Sequence, residues 1–258
     1  MPVLYSYTAM IPSILPSTGP IGVFDSGYGG LTILDKIRGL MPEYDYIYLG
    51  DSARCPYGPR SFEVVYEFTL QAVSKLFELG CPLVILACNT ASAKALRTIQ
   101  QINLPVIDAT RRVLGVIRPT AECIGEITRS RHVGILATAG TIKSESYLLE
   151  IHKLSPDIVV TGEACPMWVS LVENNEYQSE GADYFVKQHI NRLLDKDPMI
   201  DTIILGCTHY PLLLDKIRQF TPGHIRIIAQ GEYVARSLQD YLLSLIHISE
   251  PTRRTPIS

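Results

Sequence analysis

Two of the six cysteines stand in matching surroundings. Cys88 lies in Leu86-Ala-Cys-Asn-Thr-Ala and Cys207 in Leu205-Gly-Cys-Thr-His-Tyr, each where a short apolar run gives way to polar residues. A thiol placed between a strand and a following helix meets unsatisfied backbone N–H groups and the positive end of the helix dipole, which lower its pKa and favour thiolate. The same N–H groups, at Asn89, Thr90, Thr208 and His209, make anion sites able to take substrate carboxylates without any arginine. Two such thiols admit three chemistries: a redox pair, a metal site, or an acid and a base on opposite faces of one carbon. Redox pairs usually lie close in sequence, and a metal would need further ligands at suitable spacing. The third reading fits best, because inverting a carbon with an acidic hydrogen needs a base on one face and an acid on the other. The remaining cysteines, 55, 81, 123 and 165, are read as small buried hydrophobes, and Trp168 as packing.

From Ile21 onward, β-branched apolar runs alternate with longer stretches of helical period, as in parallel βαβ units. Strands are expected at 21–24, 45–49, 83–87, 105–107, 132–136, 157–160, 201–205 and 225–228. Helices are expected near 30–39, 61–79, 90–101, 141–154, 180–194, 208–220 and 231–242. This is the pattern of a doubly wound α/β protein. The chain also resembles itself. Ile21-Gly-Val-Phe-Asp matches Val133-Gly-Ile-Leu-Ala at an offset of 112, and Val84-Ile-Leu-Ala-Cys matches Ile203-Ile-Leu-Gly-Cys at 119. An internal duplication would turn both cysteines toward one cleft, since open α/β sheets bind ligands at the carboxyl ends of their strands.

Composition narrows the function further. With 23 Lys+Arg against 26 Asp+Glu, the net charge of −3 offers no polycationic face for nucleic acid. The charge-free stretch Met1 to Phe24 is interrupted by four prolines and lacks the basic start of a signal peptide, so neither membrane insertion nor export is expected and the chain reads as cytoplasmic. Residues 1–20 read as an extension of uncertain origin. Leu243 to Arg253 resembles the translation of a common transposase sequencing adapter over eleven residues, so 243–258 is set aside as a sequencing-adapter artefact, with the final helix ending at Leu242.

Four segments together resemble the cofactor-independent glutamate racemases of bacterial cell-wall synthesis. They are Gly22-Val-Phe-Asp25-Ser26-Gly-Tyr-Gly-Gly, Gly50-Asp-Ser-Ala-Arg-Cys-Pro-Tyr57-Gly58-Pro-Arg-Ser, Ala87-Cys88-Asn89-Thr90-Ala and Gly206-Cys207-Thr208-His209-Tyr-Pro-Leu. The resemblance implies two α/β domains related by a pseudo-two-fold, 21–112 with 228–242 and 113–227, and an active site in the cleft between them. It implies no cofactor and no metal, glutamate as substrate, D-glutamate for peptidoglycan as product, and a homodimer. Cys88 and Cys207 take the two acid/base roles, poised by Asp25 and His209 respectively, with Glu173 near the second cysteine. Asp25 and Ser26 would accept from the substrate ammonium. Tyr57 with Gly58, Asn89 with Thr90, and Thr208 with His209 would hold carboxylates, and Thr138 and Thr141 would line the substrate. A racemase for another small amino acid and a non-catalytic amino-acid-binding module remain as alternatives.

Overall fold

The computed structural model describes residues 19–249, with side chains described through Leu245. The extension 1–18 and the adapter-like residues 250–258 lie outside the described residues. Among the described residues, eight strands form two four-stranded parallel sheets. The first contains β1 (Ile21–Asp25), β2 (Tyr46–Gly50), β3 (Leu83–Leu86) and β4 (Arg112–Gly115), ordered β2-β1-β3-β4. The second contains β5 (His132–Ala137), β6 (Val159–Ala164), β7 (Thr202–Gly206) and β8 (Arg226–Ile228), ordered β6-β5-β7-β8. The two halves thus repeat one topology, as the internal matches required.

The central strands β1, β3 and β7 are buried along their whole length, which is why their sequences are unbroken apolar runs rather than alternating ones. Helices cover both faces. They are α1 (Leu31–Leu40), α2 (Phe62–Glu78), α3 (Asn89–Lys94), α4 (Leu96–Thr98), α5 (Leu104–Ile107), α6 (Ile117–Ile127), α7 (Ala139–Lys143), α8 (Ser146–Leu154), α9 (Pro166–Glu173), α10 (Glu180–Lys196), α11 (Leu214–Phe220) and α12 (Gly231–Ser249). The period-2 pleat sorts the side chains between layers. Ile21, Val23, Leu83 and Ile85 pack with Ile33 and Ile37 of α1 and with Val234 and Leu238 of α12, whereas Phe24, Val84 and Leu86 face Val65, Val73 and Leu76 of α2. The second sheet is covered by α6 and α8 on one face and by α9, α10 and α11 on the other. Local signals agree with this packing. Ser61 caps α2 by accepting from the Val64 N–H at 3.3 Å, and Gly80 follows the helix with φ +88°.

Four expectations need correction. The segment 105–107 is helical, within α5, because Pro105 suits a first helical turn and Val106 is 85% exposed, so the run has no core to join. The strand falls instead at β4, whose short apolar run Val113-Leu114 is preceded by arginines and is weak in isolation. β4 pairs with β3, so a domain boundary at 112/113 would cut a strand of the first sheet. Helices α6 and α9 were not anticipated: α6 carries Pro119 and Gly125, and α9 is apolar nearly all round with Trp168, Val169 and Val172 buried. Finally, α12 runs to Ser249 rather than stopping at Leu242. No helix breaker occurs before Pro251, and Leu245 continues the buried stripe of Leu238 and Leu242. Among the described residues, no helix is long and apolar enough to cross a membrane.

Candidate active site

Most functional candidates stand at or just beyond the carboxyl end of a strand. The register sets their level: the N–H groups of Ala87 and Cys88 both donate to Phe24 O, at 2.8 and 3.4 Å, which locks the residues after β3 beside the end of β1. Asp25 ends β1, Cys88 follows β3 as the N-cap of α3, Thr138 follows β5 as the N-cap of α7, and Cys207 follows β7. One narrow cavity is lined by Ser26, Tyr57, Gly58, Cys88, Asn89, Thr90, Thr138, Cys207, Thr208 and His209, with Pro56 and Val169. The two halves therefore contribute to one cleft, and no lysine or arginine lines it.

On the first side, Cys88 Sγ donates to Ser26 Oγ at 3.4 Å. Asp25 is fully buried and is held by the Gly27 N–H at 3.1 Å and by Thr208 Oγ1 at 3.2 Å. Its direct partners are thus Gly27 and Thr208, and it acts on Cys88 through its charge. The Thr208 bond joins the halves, as does Thr32 Oγ1 donating to Thr208 O at 3.1 Å.

On the second side, Cys207 Sγ lies 3.8 Å from His209 Nδ1, and His209 Nε2 lies 2.5 Å from Glu173 Oε1. Glu173 is the last residue of α9, and the preceding turn is fixed where Tyr28 donates its hydroxyl to Val172 O. The Tyr28 ring meets the His209 ring edge-on at 5.7 Å. Space for the imidazole depends on Gly29, where a Cβ would fall 2.6 Å from His209 Nδ1 and 2.8 Å from Thr208 Oγ1.

The polar lining is mutually hydrogen-bonded. Thr90 Oγ1 lies 2.9 Å from Thr138 Oγ1 and 3.3 Å from Thr141 Oγ1, again linking the halves. The Gly140 N–H donates to Gly58 O at 3.0 Å, and a Cβ on Gly58 would meet Thr138 at 2.8 Å. Tyr57 donates to Asp51, which also accepts from Arg54 Nε at 2.6 Å. Asn89 is locked at both ends: its Oδ1 accepts from Tyr147 at 2.6 Å and its Nδ2 donates to Gln230 Oε1 at 2.7 Å.

The thiol acidities reverse the expectation from helix position. Burial, then the neighbouring Asp25 carboxylate, pushes Cys88 up to about 11. Burial likewise holds Cys207 well above its ordinary value, against the lowering effect of the His209 N–H. The local N–H groups do act in the expected direction, but α3 is only six residues long and desolvation outweighs them. Burial also raises Asp25, with His209 opposing.

Every candidate site residue is found at this cleft or next to it. Two contributors escaped the sequence reading. Gln230 and Tyr147 fix Asn89 from distant segments, and only the position of Gln230 just beyond β8, matching the other strand ends, could have suggested it. Cys55, expected in the core, is half-buried with its Sγ 3.7 Å from Glu173 Oε1, whereas Cys81 and Cys165 are core residues as expected. Trp168 is fully buried against Tyr210 and His189. Among the described residues, one group brings three metal-ligating atoms within 4.8 Å of one another: Cys55, Glu173 and His209.

Residues 32–238 match the Asp/Glu/Hydantoin racemase family. A glutamate racemase from Bacillus cereus is 40% identical over 223 residues, covering 86% of this chain and 80% of that one. A crystal structure of a glutamate racemase from Bacillus anthracis superposes with a TM-score of 0.81 at 37% identity, covering 88% of this chain and 82% of the other. The glutamate racemase of Francisella tularensis, solved in complex with D-glutamate, gives 0.78 at 33% identity over 93% and 86% of the two chains. The chain belongs to the Asp/Glu/Hydantoin racemase family, and the relatives it resembles at this level are glutamate racemases.

Proposed function

We propose that this protein is a glutamate racemase that interconverts L- and D-glutamate by proton transfer at Cα between Cys88 and Cys207, supplying D-glutamate for peptidoglycan. The observation that carries this reading is the arrival of two thiols in one cleft from corresponding strand ends of two topologically identical halves. It is supported by the glutamate racemases that the chain resembles, one of them solved with D-glutamate.

In the reaction, one sulfur as thiolate takes the Cα proton, and the opposite thiol gives its proton to the other face. Substrate leaves inverted, and the two sulfurs have exchanged roles. Because both thiols are raised, the free cleft holds them protonated, and neighbours must receive a proton. His209 Nδ1 is placed to take it from Cys207, with Glu173 orienting the ring. Asp25 and Ser26 offer oxygens to the substrate ammonium, whose positive charge favours a thiolate at Cys88. With no cation in the lining, carboxylates are held by N–H and hydroxyl groups of Tyr57, Gly58, Asn89, Thr90, Thr138, Thr141, Thr208 and His209. Negative charge developing toward the α-carboxylate on proton loss is stabilised by the same donors.

The same reading assigns residues 21–115 with α12 to one domain and 116–228 to the other, and expects a cytoplasmic homodimer, which sedimentation velocity checks. Chiral chromatography in D₂O should show deuterium at Cα from either enantiomer of glutamate and little turnover of other L-amino acids. Full activity in Cys88→Ala or Cys207→Ala would overturn the mechanism, and preferred turnover of another amino acid would overturn the substrate.

A further inference from the structure

The contacts of Cys55 do not belong to the proton-transfer chemistry. Its thiol is not part of the cleft lining, yet its Sγ stands 3.7 Å from Glu173 Oε1, Oε1 stands 2.5 Å from His209 Nε2, and one ligand atom from each of the three residues lies within 4.8 Å of the others. The three donors come from separate elements: the loop after β2, the end of α9 and the turn after β7. Gly27 leaves the space beside them clear. A Cβ on that residue would fall 2.5 Å from Glu173 Oε1, 3.3 Å from Cys55 Sγ and 3.4 Å from His209 Nε2, next to all three donor atoms at once. One thiolate, one imidazole and one carboxylate form a donor set suited to Zn²⁺, and three protein ligands leave a fourth tetrahedral position for water. Zinc–ligand bonds of ~2.0–2.3 Å put tetrahedral ligands roughly 3.3–3.6 Å apart, so the sulfur–oxygen pair is already near its spacing. The His209–Glu173 pair must part by about 1 Å, which replaces a shared hydrogen with the metal.

We propose that Cys55, Glu173 and His209 form a Zn²⁺ site whose occupation stops racemisation. The inhibitory half rests on the racemase reading; metal binding does not. On binding, zinc–sulfur, zinc–nitrogen and zinc–oxygen bonds form, the Cys55 thiol proton leaves to solvent, and no electron is transferred. With Nε2 on the metal, the ring hydrogen of His209 moves to Nδ1, the nitrogen 3.8 Å from Cys207 Sγ. That nitrogen then donates toward the sulfur and cannot accept its proton. Inhibition therefore follows from the tautomer and leaves the cleft open to substrate.

The test uses the full chain stripped of metal with EDTA. Co²⁺ serves as the spectroscopic probe and Zn²⁺ as the inhibitor, on the wild type, Cys55→Ser and Cys55→Ala. The wild type should bind one Co²⁺ per chain with the visible bands of a tetrahedral site and a thiolate-to-cobalt charge-transfer band, and should lose activity to Zn²⁺ and regain it with EDTA. Both variants should keep the metal-free activity, lose the charge-transfer band, and need at least tenfold more Zn²⁺ for the same inhibition. An unchanged band and unchanged zinc sensitivity in both variants would place the metal on Cys88 and Cys207 and overturn the site, as would absence of stoichiometric binding. A wild type that shows the cobalt spectrum but no racemase activity supports the metal site while removing the racemase reading, so the two failures are distinguishable.

Discussion

His209 Nε2 lies 2.5 Å from Glu173 Oε1, and this pairing fixes which ring nitrogen carries the hydrogen. A carboxylate offers none, so Nε2 is the donor and the lone pair of Nδ1 faces Cys207. In Glu173→Gln the amide can present either its oxygen or its NH₂ group to Nε2, and the preferred tautomer is lost. We expect kcat/KM to fall on the order of 10–100-fold while the protein stays folded. Because the equilibrium between enantiomers is symmetric, the fall must be equal from L- and D-glutamate. Chiral assays in both directions check it, and an unchanged kcat/KM refutes a positioning role for Glu173.

Gly29 is the space into which that imidazole fits. A methyl group there would stand 2.6 Å from His209 Nδ1 and 2.8 Å from Thr208 Oγ1, closer than carbon approaches either atom. Gly29→Ala should displace the ring from Cys207 without touching either cysteine. A displacement near 1 Å in a reacting array costs about a hundredfold in rate. Steady-state kinetics beside a thermal melt separates the two effects: activity should drop far more than stability. Wild-type kcat/KM in this variant would show that the ring position is unimportant.

The raised Cys88 pKa predicts a pH dependence of definite sign. Burial and Asp25 favour the neutral thiol, so its titration lies at about 11 and the thiolate fraction grows about tenfold per pH unit below that. kcat/KM should therefore rise between about pH 7 and pH 9 rather than level off. Ser26 lowers this pKa through its hydrogen bond at 3.4 Å. Ser26→Ala should move the rising limb to higher pH. A flat profile from about pH 7 to 9 would show that another group supplies the base.

Gln230 is a buried hub. The two hydrogens of its Nε2 are shared among Tyr147 Oη at 2.6 Å, Thr120 Oγ1 at 3.0 Å and Val116 O at 3.1 Å, while its Oε1 accepts from Asn89. Gln230→Ala leaves several buried polar groups without partners, at a cost of about 2–4 kcal/mol. Asn89 also loses its restraint, so KM for glutamate should rise more than kcat falls. Denaturant unfolding and kinetics check the two consequences, and an unchanged unfolding midpoint would show that water replaces the amide.

How much of this could be read from the chain follows from how local each cause is. β1, β3, β5 and β7 were legible because strands buried on both faces must be apolar throughout, and the shared order of the halves was legible because β1 and β3 resemble β5 and β7. β4 was not, since two apolar residues beside arginines gain strand character only when β3 is present to pair with. The cysteines were placed correctly by their sequence context, but their acidity was not, because helix position is a local property and desolvation depends on everything packed around the sulfur. Gln230 and Tyr147 escaped for the same reason: their function is to hold Asn89, and that contact spans 141 residues in one case and 58 in the other. Cys55 was read as core because a lone cysteine usually is, and nothing near it in sequence reveals Glu173.

Asp201, far from the cleft, should make acid stability depend on one side chain. It accepts from Thr128 Oγ1 and the Arg129 N–H, each at 2.6 Å, from the Ser130 N–H at 2.7 Å and from Thr202 Oγ1 at 2.9 Å, tying the turn before β5 to the start of β7. Partial burial works to raise its pKa, but these donors outweigh it and bring the carboxyl down to about 2. A carboxyl depressed on folding stabilises the native state above its unfolded value near 3.9, and that contribution disappears as pH falls through about 2. Allowing for solvent screening, the contribution is about 1 kcal/mol. Asp201→Asn should therefore lower stability by roughly this amount at neutral pH and by progressively less as pH falls from about 4 through 2, as the wild-type carboxyl becomes protonated. Urea unfolding of both proteins across that interval checks the convergence, and a pH-independent difference would assign the effect to lost packing rather than to charge.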